Sequence, residues 1–445
     1  MSQAETLNHP LRAIARPGWL RRRLERLRLF EPRFGEAATT RPEVIRLEAE
    51  DGAAKASPVR IFLGTTPAEW RALRVLFWSI RALRDPARSY ELHVMANLAR
   101  FPRRRWRTAY QGYRAAVPAL AGGAGRAIYC ETGTVFLEDP ARLLDLDMGG
   151  AGWLAAPDGR LALLDCATLA PLWPAGELED GTPPDRIEAR ARRGALPADW
   201  ARGAEGAQGA TGAALLPANA APQAGSAPLA RLWQDRERAA DAAGFLPFTK
   251  DRASHEFGEL IGLYRQMHDA QFFPGQRLKH HLAPVRELVA ATGAETLLDY
   301  GAGKAEGYAR IAGAPDDSPL RHTPAWPGVT VRCYDPGVET FADPGAEPVD
   351  GVISTDVVEH LCPWDVAWVL DDMFARARGF VFVVAACYPA VKRLPDGRNP
   401  HTTLQSHDWW RDQMRLAARR HPGIAWCLGC DDRGPLRKTT TLYRD

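Results

Sequence analysis

Short apolar runs alternate with amphipathic stretches through most of the chain, and this pattern predicts sheets built from strands and helices in turn. Before residue 245, the predicted strands are 59–65, 92–95, 127–129 and 161–166, and the predicted helices are 70–83 and 229–243. After residue 249, the predicted strands are 296–298, 329–335, 349–355, 379–386, 424–426 and 439–443, and the predicted helices are 254–268, 277–291, 367–377 and 409–420. We therefore expect two open α/β sheets, with ligand sites at the carboxyl ends of their strands.

Changes of composition divide the chain further. Residues 1–57 are polar and interrupted by proline, and within them residues 17–30 predict a short basic amphipathic helix. Such a helix either packs on the next domain or makes a weak peripheral contact with a membrane surface or a partner. Alanine and glycine dominate residues 201–230, which predicts a poorly packed loop. The expected arrangement is a basic N-terminal extension at 1–57, a first domain at 58–245 and a second domain at 249–445.

Composition and charge exclude several classes of function. The chain of 445 residues is long enough for two or three domains, and its net charge of +3 is too small for a nucleic-acid-binding protein. No apolar run approaches the roughly 18 residues of a membrane span, and the N-terminus lacks the apolar core of a signal peptide. The seven cysteines are scattered; Cys427 and Cys430 form a close pair without a second pair at zinc-finger spacing, which favours ordinary core cysteines. We expect a cytoplasmic protein.

The most informative stretch is the predicted strand 296–298 and the turn that follows it. The strand leads into Asp299 and Tyr300 and then into Gly301 and Gly303, with one residue between the two glycines. Glycine allows a tight turn and lets a ligand approach the backbone closely. The residues after the turn predict the start of a helix, whose N-terminal amides favour negative charge.

Acidic residues also follow two later strands of the second domain. Residues 329–335 predict a strand that ends at Asp335, where a ribose-binding carboxylate lies in dinucleotide-binding folds. Residues 349–355 predict another strand, which is followed by Asp356 and then by a Glu-His pair. These side chains are expected at the carboxyl edge of the sheet, where ligands bind in open α/β folds.

Together these residues resemble the class I S-adenosylmethionine-dependent methyltransferases. The acid and the two glycines match the first motif of that family, and the run Asp-Val-Val-Glu-His-Leu at 356–361 matches its fourth-strand motif. A dinucleotide dehydrogenase is not expected to carry that run. Ala305 stands where the third glycine of the usual first motif is expected, which is a mild departure. The resemblance implies a Rossmann-like fold and S-adenosyl-L-methionine as the cofactor.

The resemblance also implies roles for individual residues. Asp299 would accept a hydrogen bond from the amino-acid end of the cofactor, and Asp335 would bind its ribose hydroxyls. The whole implied cofactor-binding set is Asp299, Tyr300, Gly301, Gly303, Asp335, Pro336 and Asp356. The helix predicted over 254–268 is expected to cap the pocket, and its candidate lining residues are Tyr264, Gln266, Met267 and His268.

Three residues are candidates for the chemistry of methyl transfer. His360 is the first candidate for a general base, because its ordinary pKa of about 6.5 suits proton removal at neutral pH. Glu359 is placed to orient it or to bind the acceptor, and His401 is the second candidate base. The alternatives are that Glu359 and His360 begin a helix and serve structure, or that positioning alone suffices. Arg398 and Asn399, just before His401, suit binding of a hydroxylated acceptor such as a sugar.

The first predicted domain resembles a different family. It opens with a strand that ends in Gly-Thr at 64–65, and it carries Gly-Arg-Ala-Ile-Tyr at 125–129, Asp-Pro at 139–140 and Leu-Leu-Asp-Cys at 163–166. These pieces resemble bacterial glycosyltransferases with the GT-A fold, of the glycogenin-like group, over roughly residues 58–245. The resemblance implies a sheet of the nucleotide-diphospho-sugar transferase type.

The first domain departs from that family at its metal site. In the family an Asp-x-Asp pair holds a divalent cation, which neutralises the leaving diphosphate. Here those positions hold Glu131 and Gly133, and no histidine occurs between residues 96 and 254 to supply a third ligand. The domain is then either a degenerate glycosyltransferase, with Glu131 as a remnant and no metal, or a transferase that sets arginines against the diphosphate. An unrelated Rossmann-like domain also fits the α/β pattern.

The sequence therefore predicts a methyltransferase that acts on a glycan or sugar-containing acceptor, with the first domain recognising or placing that acceptor. The substrate is inferred from the fusion of the two domains, which is an association and not a chemical argument. One alternative is a bifunctional enzyme that adds a sugar and then methylates the product. The other is a non-catalytic glycan-binding scaffold.

Overall fold

The structure is a computed structural model that describes residues 4–6, 41–50, 57–103, 106, 108–200, 212–215, 228–270, 274–275, 277–308, 322–326, 328–433 and 438–445. The chain forms two compact units. The N-terminal unit is Ala38–Pro247, and the C-terminal unit is Phe248–Asp445 together with Met1–Ala37. The helix predicted over 17–30 lies outside the described residues, as does most of the predicted loop 201–230.

The strands of the chain are numbered in order from β1 (Ala4–Thr6), which belongs to the C-terminal unit. Those of the N-terminal unit are β2 (Glu43–Leu47), β3 (Val59–Gly64), β4 (Tyr90–Met95), β5 (Arg126–Glu131), β6 (Thr134–Phe136), β7 (Trp153–Ala155), β8 (Leu161–Asp165), β9 (Arg193–Ala195) and β10 (Ala213–Leu215). One sheet has the order β2-β4-β3-β5-β8-β7-β9, and β6 and β10 pair with each other in a separate two-stranded sheet. The sheet is mixed, because β3 is parallel to β4 and β5 whereas β5 and β8 are antiparallel.

Helices of the N-terminal unit are α1 (Trp70–Leu83), α2 (Tyr113–Leu120), α3 (Cys166–Leu169), α4 (Ala175–Glu179), α5 (Pro184–Glu188) and α6 (Pro228–Ala242). The bounds of α1 confirm the helix predicted over 70–83. Its apolar residues fall on one face because they recur every three or four positions, and Leu73, Leu76 and Ile80 are all fully buried. A second group of buried residues, among them Phe62, Tyr129 and Leu164, forms the core around the sheet.

A buried ion pair joins α2 to α5 in this unit. The Arg114 guanidinium donates from Nε to Glu188 Oε1 at 2.9 Å and from Nη2 to Glu188 Oε2 at 2.7 Å. The side chains are only 7% and 8% exposed. Such a two-point bond offsets the cost of removing both charges from water, but either charge left alone in the interior has no compensation.

Replacing Arg114 with methionine is therefore expected to destabilise the N-terminal unit by about 3–5 kcal/mol, since it strands the Glu188 carboxylate. The measurement is the free energy of unfolding from urea denaturation. The matched control is Arg190→Met, which breaks a two-point pair with Glu177 whose side chains are 40% exposed each. That loss is expected to be much smaller, because water solvates both charges of an exposed pair. Equal losses in the two variants would contradict the account.

The C-terminal unit holds an eight-stranded sheet. Its strands after β1 are β11 (Thr296–Tyr300), β12 (His322–Trp326), β13 (Val329–Tyr334), β14 (Val349–Thr355), β15 (Ala377–Ala386), β16 (Ala425–Arg433) and β17 (Lys438–Arg444). Their order across the sheet is β1-β17-β16-β15-β14-β11-β13-β12. The central strands β13, β11, β14, β15 and β16 are parallel to one another. β12 adds an antiparallel strand at one edge of the sheet, and β17 and β1 add antiparallel strands at the other.

The strand order creates a switch point at β11. The chain leaves β11 toward β13 on one side, and later continues on the other side with β14, β15 and β16. In open α/β sheets a crevice forms at the carboxyl ends of the strands where the order reverses, and ligands bind there. The helices around this sheet are α7 (His255–Asp269), α8 (Leu282–Thr292), α9 (Val366–Arg376) and α10 (His407–Arg420). Buried apolar residues such as Leu297, Ile353 and Phe382 form the core.

The predicted elements of this unit are confirmed with corrections at their ends. The helix predicted over 277–291 begins only at Leu282, because residues Arg277–His280 form a separate 3₁₀ turn. The strand predicted over 424–426 is longer and reaches Arg433, since its parallel pairing with β15 continues. Glu359 and His360 lie in a single 3₁₀ turn, Val358–His360, and not at the start of a longer helix. Within the described residues, no helix is both long enough and apolar enough to span a bilayer.

Candidate active site

A cavity of about 570 Å³ opens at the carboxyl edge of the sheet, at the switch point beside β11. It has the size of a pocket for a small molecule or cofactor. Its lining includes residues from three strand ends and from the loop after β15, among them Gly301, Gly303, Asp335, Asp356, His360 and His401. Tyr264 and His268 of α7 also line it, whereas Gln266 and Met267, predicted as lining residues, are not part of the lining.

The glycine turn forms one wall of the cavity. Gly301 has φ +86°, and its amide donates to the carbonyl oxygen of Tyr334 at 2.7 Å. A Cβ at Gly301 would lie 2.3 Å from Cγ2 of Val357, so no other residue fits without displacement. Gly303 is also left-handed, with φ +58°. Val357 therefore leaves no space for a side chain at Gly301, and the glycine backbone forms part of the cavity wall.

A second segment packs against this turn and was missed by the sequence reasoning. A Cβ at Gly275 would lie 2.1 Å from the carbonyl oxygen of Ala302, and the Gly275 carbonyl accepts from the amide of Gly307 at 3.0 Å. The Pro-Gly pair at 274–275 was the available signal, because such pairs mark turns. Ala305, at the place of the third glycine, has φ +56° and keeps the left-handed backbone that glycine adopts more easily.

The Asp299 carboxyl group faces the cavity from the end of β11. It is 6% exposed, and the Tyr308 hydroxyl donates to its Oδ2 at 2.5 Å. Burial raises the pKa of Asp299 to about 7, although the Tyr308 hydrogen bond acts in the opposite direction. Tyr300, predicted with it, directs its hydroxyl to Asp372 at 3.1 Å, so its side chain stabilises the packing of α9.

Asp335, at the end of β13, is oriented by backbone amides. Its Oδ2 accepts from Gly303 at 2.9 Å, and its Oδ1 accepts from Gly337 at 2.8 Å. Oδ1 also lies 3.9 Å from Nε2 of His268. A carboxylate oxygen accepts more than one hydrogen bond, so both oxygens retain capacity for a ligand. Asp335 and the neighbouring Pro336 line the cavity.

Asp356 follows β14 in a left-handed conformation, with φ +57°. A residue other than glycine in this region costs about 1–2 kcal/mol, so the surrounding structure must hold it there. The Arg277 guanidinium forms an ion pair with its Oδ2 and lies 3.7 Å from Asp431. The sequence reasoning missed Arg277, because nothing local connects it with a residue about eighty positions later.

His360 is held by two groups at Nδ1. The Tyr264 hydroxyl lies 2.8 Å from that nitrogen, and the carbonyl oxygen of Pro400 lies 3.1 Å from it. The Tyr264 hydroxyl also donates to the same carbonyl at 2.9 Å. Burial, with a further contribution from His401, lowers the pKa of His360 to about 3. This imidazole is neutral at physiological pH, but it is a weaker base than the sequence suggested.

His401 and Glu359 lie beside it. The rings of His360 and His401 are perpendicular, with centroids 4.8 Å apart. His401 Nδ1 donates to the carbonyl oxygen of Tyr388 at 2.5 Å, and burial lowers the pKa of His401. The Glu359 side chain is completely buried, and burial, together with the charge of Asp356, raises its pKa well above the ordinary range. All three candidate catalytic residues are therefore brought together.

Arg398 and Asn399 were predicted to bind substrate. In the structure their side chains bond to other residues of the protein and do not line the cavity, which corrects that placement. Arg398 pairs with Glu256 at 3.0 Å and with Asp396 at 2.6 Å. The Asn399 amide group bonds both backbone groups of Ala390, at 3.1 and 2.9 Å. Neither residue is part of the cavity lining. Both side chains fix the loop that carries His401.

In the N-terminal unit, Glu131 ends β5 with its carboxyl group buried. The Tyr129 hydroxyl donates to its Oε1 at 3.1 Å, and burial raises the pKa of Glu131 to about 7. Gly133, in the following turn, has φ +99° and offers no ligand. Among the described residues of this unit, no three His, Cys, Asp or Glu side chains converge closely enough to hold a metal ion.

No protein-family model matches the chain, and no curated protein matches it. Glycosyltransferases are among the solved structures with some likeness to it. Galactosyltransferase LgtC, solved with donor and acceptor sugar analogues, is 10% identical at a TM-score of 0.30, over 41% of this chain and 96% of that one. The glycosyltransferase GlyE of Streptococcus pneumoniae TIGR4 is 8% identical at a TM-score of 0.30, over 83% and 80%. The bifunctional glycosyltransferase WbbM is 14% identical at a TM-score of 0.25, over 36% of this chain and only 42% of its own.

At TM-scores of 0.25 to 0.30 these likenesses carry no argument about the activity of this chain. The chain also spans less than half the length of WbbM.

Proposed function

We propose that the C-terminal unit is an S-adenosylmethionine-dependent methyltransferase that acts on a hydroxyl of a glycan or sugar-containing acceptor. The observation that carries the proposal is the glycine turn that lines the cavity at the β11 switch point, with a carboxyl group on each side. Val357 leaves no space for a Cβ at Gly301, so the backbone itself forms the wall there, and Asp299 and Asp335 line the same cavity. This arrangement supports a ligand that carries both an ammonium group and a ribose.

The residues present fit the ammonium group and the ribose of this cofactor. An ionised Asp299 would pair with the ammonium group of the methionine end, and Asp335 has spare oxygen lone pairs for the ribose hydroxyls. The amides of Gly303 and Gly337 hold the Asp335 carboxylate in place, so little rotamer freedom is lost on binding. When bound, S-adenosylmethionine supplies a methyl group activated by a sulfonium, which an acceptor oxygen can take.

The residues of this chain would contribute mainly orientation and the exclusion of water. His360 and His401 line the cavity beyond the ends of β14 and β15, and β14 lies next to β11, which carries the glycine turn. His360 can accept a proton from an acceptor hydroxyl, but its low pKa limits its strength as a base. We therefore attribute more of the rate enhancement to positioning of the acceptor than to a general base.

The sugar acceptor rests on the glycosyltransferase resemblance of the N-terminal unit. The structure favours the form of that unit without a metal-dependent activity, because the Glu131 carboxyl group is buried against Tyr129 and Gly133 supplies no second carboxylate. The bifunctional alternative predicts hydrolysis of sugar nucleotides in the presence of a divalent metal, and loss of that hydrolysis in Glu131→Ala. The scaffold alternative predicts no binding of S-adenosylmethionine.

The test is transfer of radiolabelled methyl groups from S-adenosylmethionine to a panel of oligosaccharides and sugar nucleotides, with S-adenosylhomocysteine measured as the second product. We expect equal amounts of methylated sugar and S-adenosylhomocysteine. Label on protein or nucleic acid but on no sugar would reject the acceptor class. Absence of cofactor binding would reject the methyltransferase itself.

Binding of the cofactor is expected to depend on pH through Asp299. Because the pKa of this buried carboxyl is about 7, a large fraction is protonated below neutrality and cannot pair with the ammonium group. Binding favours the ionised form and must release the proton. Affinity should therefore fall by up to about tenfold per pH unit below 7. Isothermal titration calorimetry at pH 6 in two buffers with different ionisation enthalpies measures the proton that is released.

The control for this dependence is Asp299→Asn, which keeps the shape of the side chain and its contact with Tyr308. This variant is expected to bind more weakly at pH 8 and to lose most of the variation with pH. An affinity of the unaltered protein that stays constant between pH 5.5 and 8 would show that Asp299 is not the partner of the ammonium group.

A further inference from the structure

Two imidazoles and one buried carboxylate converge in the wall of the cavity. One ring nitrogen of His360, one of His401 and one oxygen of Glu359 all lie within 4.8 Å of one another. Ligand atoms around a single ion, at bond lengths near 2.0–2.2 Å, are about 3–4 Å apart, so small side-chain rotations close the remaining gap. We infer that Glu359, His360 and His401 bind one divalent transition-metal ion.

The state of Glu359 is the second, independent observation. Its side chain is 0% exposed, and neither carboxyl oxygen has a hydrogen-bond partner among the described residues. The backbone amides of Glu359 and Ala386 favour its charged form, but no positively charged side chain is among the main influences on its pKa. A buried carboxylate without a counter-charge is strongly unfavourable, and such groups in proteins are paired or coordinate a metal. A cation between Glu359 and the two imidazoles supplies the missing partner.

The two histidines are held in the tautomer that a metal requires. His401 Nδ1 lies 2.5 Å from the Tyr388 carbonyl oxygen, which can only accept, so Nδ1 carries the hydrogen and Nε2 carries the lone pair. At His360, the Pro400 carbonyl lies 3.1 Å from Nδ1, and a hydrogen on Nδ1 avoids a contact between two lone pairs. Metal-binding histidines usually donate their other nitrogen to a carbonyl or carboxylate in this way.

The charges around the cluster also favour a cation. The negative charge of Asp356 acts on Glu359, His360 and His401 alike. Asp356 pairs with Arg277 through Oδ2, while its buried Oδ1 has no hydrogen-bond partner among the described residues. The positive charges of Arg277 and Lys438 also act on His401, and Arg277 compensates Asp356 through their ion pair. Glu359 is left without a counter-charge of its own, and a divalent ion supplies it.

The ligand set indicates the chemical class of the ion. Two imidazole nitrogens and one carboxylate oxygen suit Zn²⁺, Mn²⁺, Fe²⁺ or Co²⁺, and the absence of thiolate from the cluster makes it unlike a structural zinc site. Three protein ligands leave at least one position open. Because His360 and His401 line the cavity, that position is accessible to a small molecule.

The use of the ion depends on the proposed function, whereas its binding does not. If the acceptor is a sugar, a hydroxyl bound at the open position becomes more acidic and releases its proton to water at lower pH. A hydroxyl bound to such an ion loses its proton without a strong protein base.

A second cluster in the same unit serves as an internal control. Cys387, His407 and Cys430 also place ligand atoms within 4.8 Å of one another. His407 is already engaged at both nitrogens, with Tyr443 at 2.9 Å and Asp432 at 3.0 Å, so this cluster is less prepared for an ion. Any ion held there has sulfur ligands, which distinguishes the two clusters by spectroscopy.

The experiment is a titration of the chelator-treated full-length protein with Co²⁺, followed by visible absorption and by equilibrium dialysis. We expect a bound Co²⁺ with ligand-field bands and no sulfur-to-cobalt charge-transfer band. Glu359→Gln and His401→Gln are each expected to weaken this Co²⁺ binding by at least about 100-fold, since each removes a direct ligand. Cys387→Ser is expected to leave it unchanged.

Thermal unfolding of each variant shows whether a loss of Co²⁺ binding results from misfolding and not from loss of a ligand. Without metal, Glu359→Gln is expected to melt at the same temperature as the unaltered protein or higher, because it removes an unpaired buried carboxylate. Only the unaltered protein and Cys387→Ser should then be stabilised by Co²⁺. Co²⁺ binding that survives in both Glu359→Gln and His401→Gln, or that is lost in Cys387→Ser with its sulfur band, would overturn the inference. Failure of the cofactor to bind would leave this result standing and reject only the proposed function.

Discussion

Replacement of Gly301 with alanine is expected to weaken binding of S-adenosylmethionine by at least about 100-fold, which corresponds to about 2.7 kcal/mol. The φ of +86° alone costs an alanine about 1–2 kcal/mol. The new methyl group would also lie 2.3 Å from Val357 Cγ2, so the Val357 side chain or the turn itself must move into the cavity. The measurement is the dissociation constant from isothermal titration calorimetry.

The matched control is Gly423→Ala. Gly423 has φ +91°, and a Cβ there would meet no atom within 4 Å. It lies just before the amino end of β16, at the opposite edge of the sheet from the cavity. This variant is expected to lose a similar amount of stability from backbone strain, with unchanged cofactor affinity. If both variants lost affinity equally, the glycine turn would not be the binding surface.

Replacement of Asp335 with alanine is expected to weaken cofactor binding by about 100-fold or more. A carboxylate that binds two ribose hydroxyls makes two charge-assisted hydrogen bonds of about 1.5–3 kcal/mol each. The change also releases the amides of Gly303 and Gly337, so the glycine turn loses its fixed orientation. Adenine analogues that lack the ribose hydroxyls should bind the variant and the unaltered protein with more similar affinities.

Asp350→Ala is the control for this prediction. Asp350 accepts from the amide of Thr296 at 2.9 Å and from its hydroxyl at 2.7 Å, at the amino end of β11. The control removes a carboxylate with comparable bonds from the same sheet but at the edge without the cavity. It is expected to reduce stability and to retain the affinity for the cofactor. Retained affinity in Asp335→Ala would show that this carboxylate does not bind the ribose.

The strands and the glycine turn could be predicted because their signals are local. β11 is a short apolar run that ends in an acid, and only glycine adopts φ values such as that of Gly301 easily. The helix predicted over 70–83 was confirmed for the same reason, since its apolar stripe alone determines which face is buried. The methyltransferase and glycosyltransferase assignments stay predictions, because they depend on resemblance and not on these elements.

The partners of the site residues could not be predicted, because tertiary packing selects them. Tyr308, which follows the glycine turn, bonds back to Asp299, and Arg277 reaches Asp356 from a separate 3₁₀ turn. Gly275 packs on Ala302, whereas the sequence around Gly275 predicts only that the chain turns there and not what the turn contacts. Sequence patterns indicate which element a residue belongs to, but not which distant side chain it meets.

The convergence of Glu359, His360 and His401 shows the same limit. The sequence presented His360 and His401 as alternative bases about forty positions apart, and it gave no reason to combine them. The loop after β15 folds back on the 3₁₀ turn because Thr403 donates to the Glu359 carbonyl at 2.9 Å and Thr402 bonds the Leu361 carbonyl at 2.6 Å. These hydrogen bonds bring the two candidate bases, His360 and His401, into one cluster with Glu359.

The most direct measurement of the central claim is a crystal structure of the protein grown with S-adenosylhomocysteine. The account predicts the nucleoside in the cavity over Gly301 and Gly303, with both ribose hydroxyls within hydrogen-bonding distance of the Asp335 carboxylate and the amino group beside Asp299. A structure with the nucleoside bound elsewhere, or with its ribose directed away from Asp335, would contradict it.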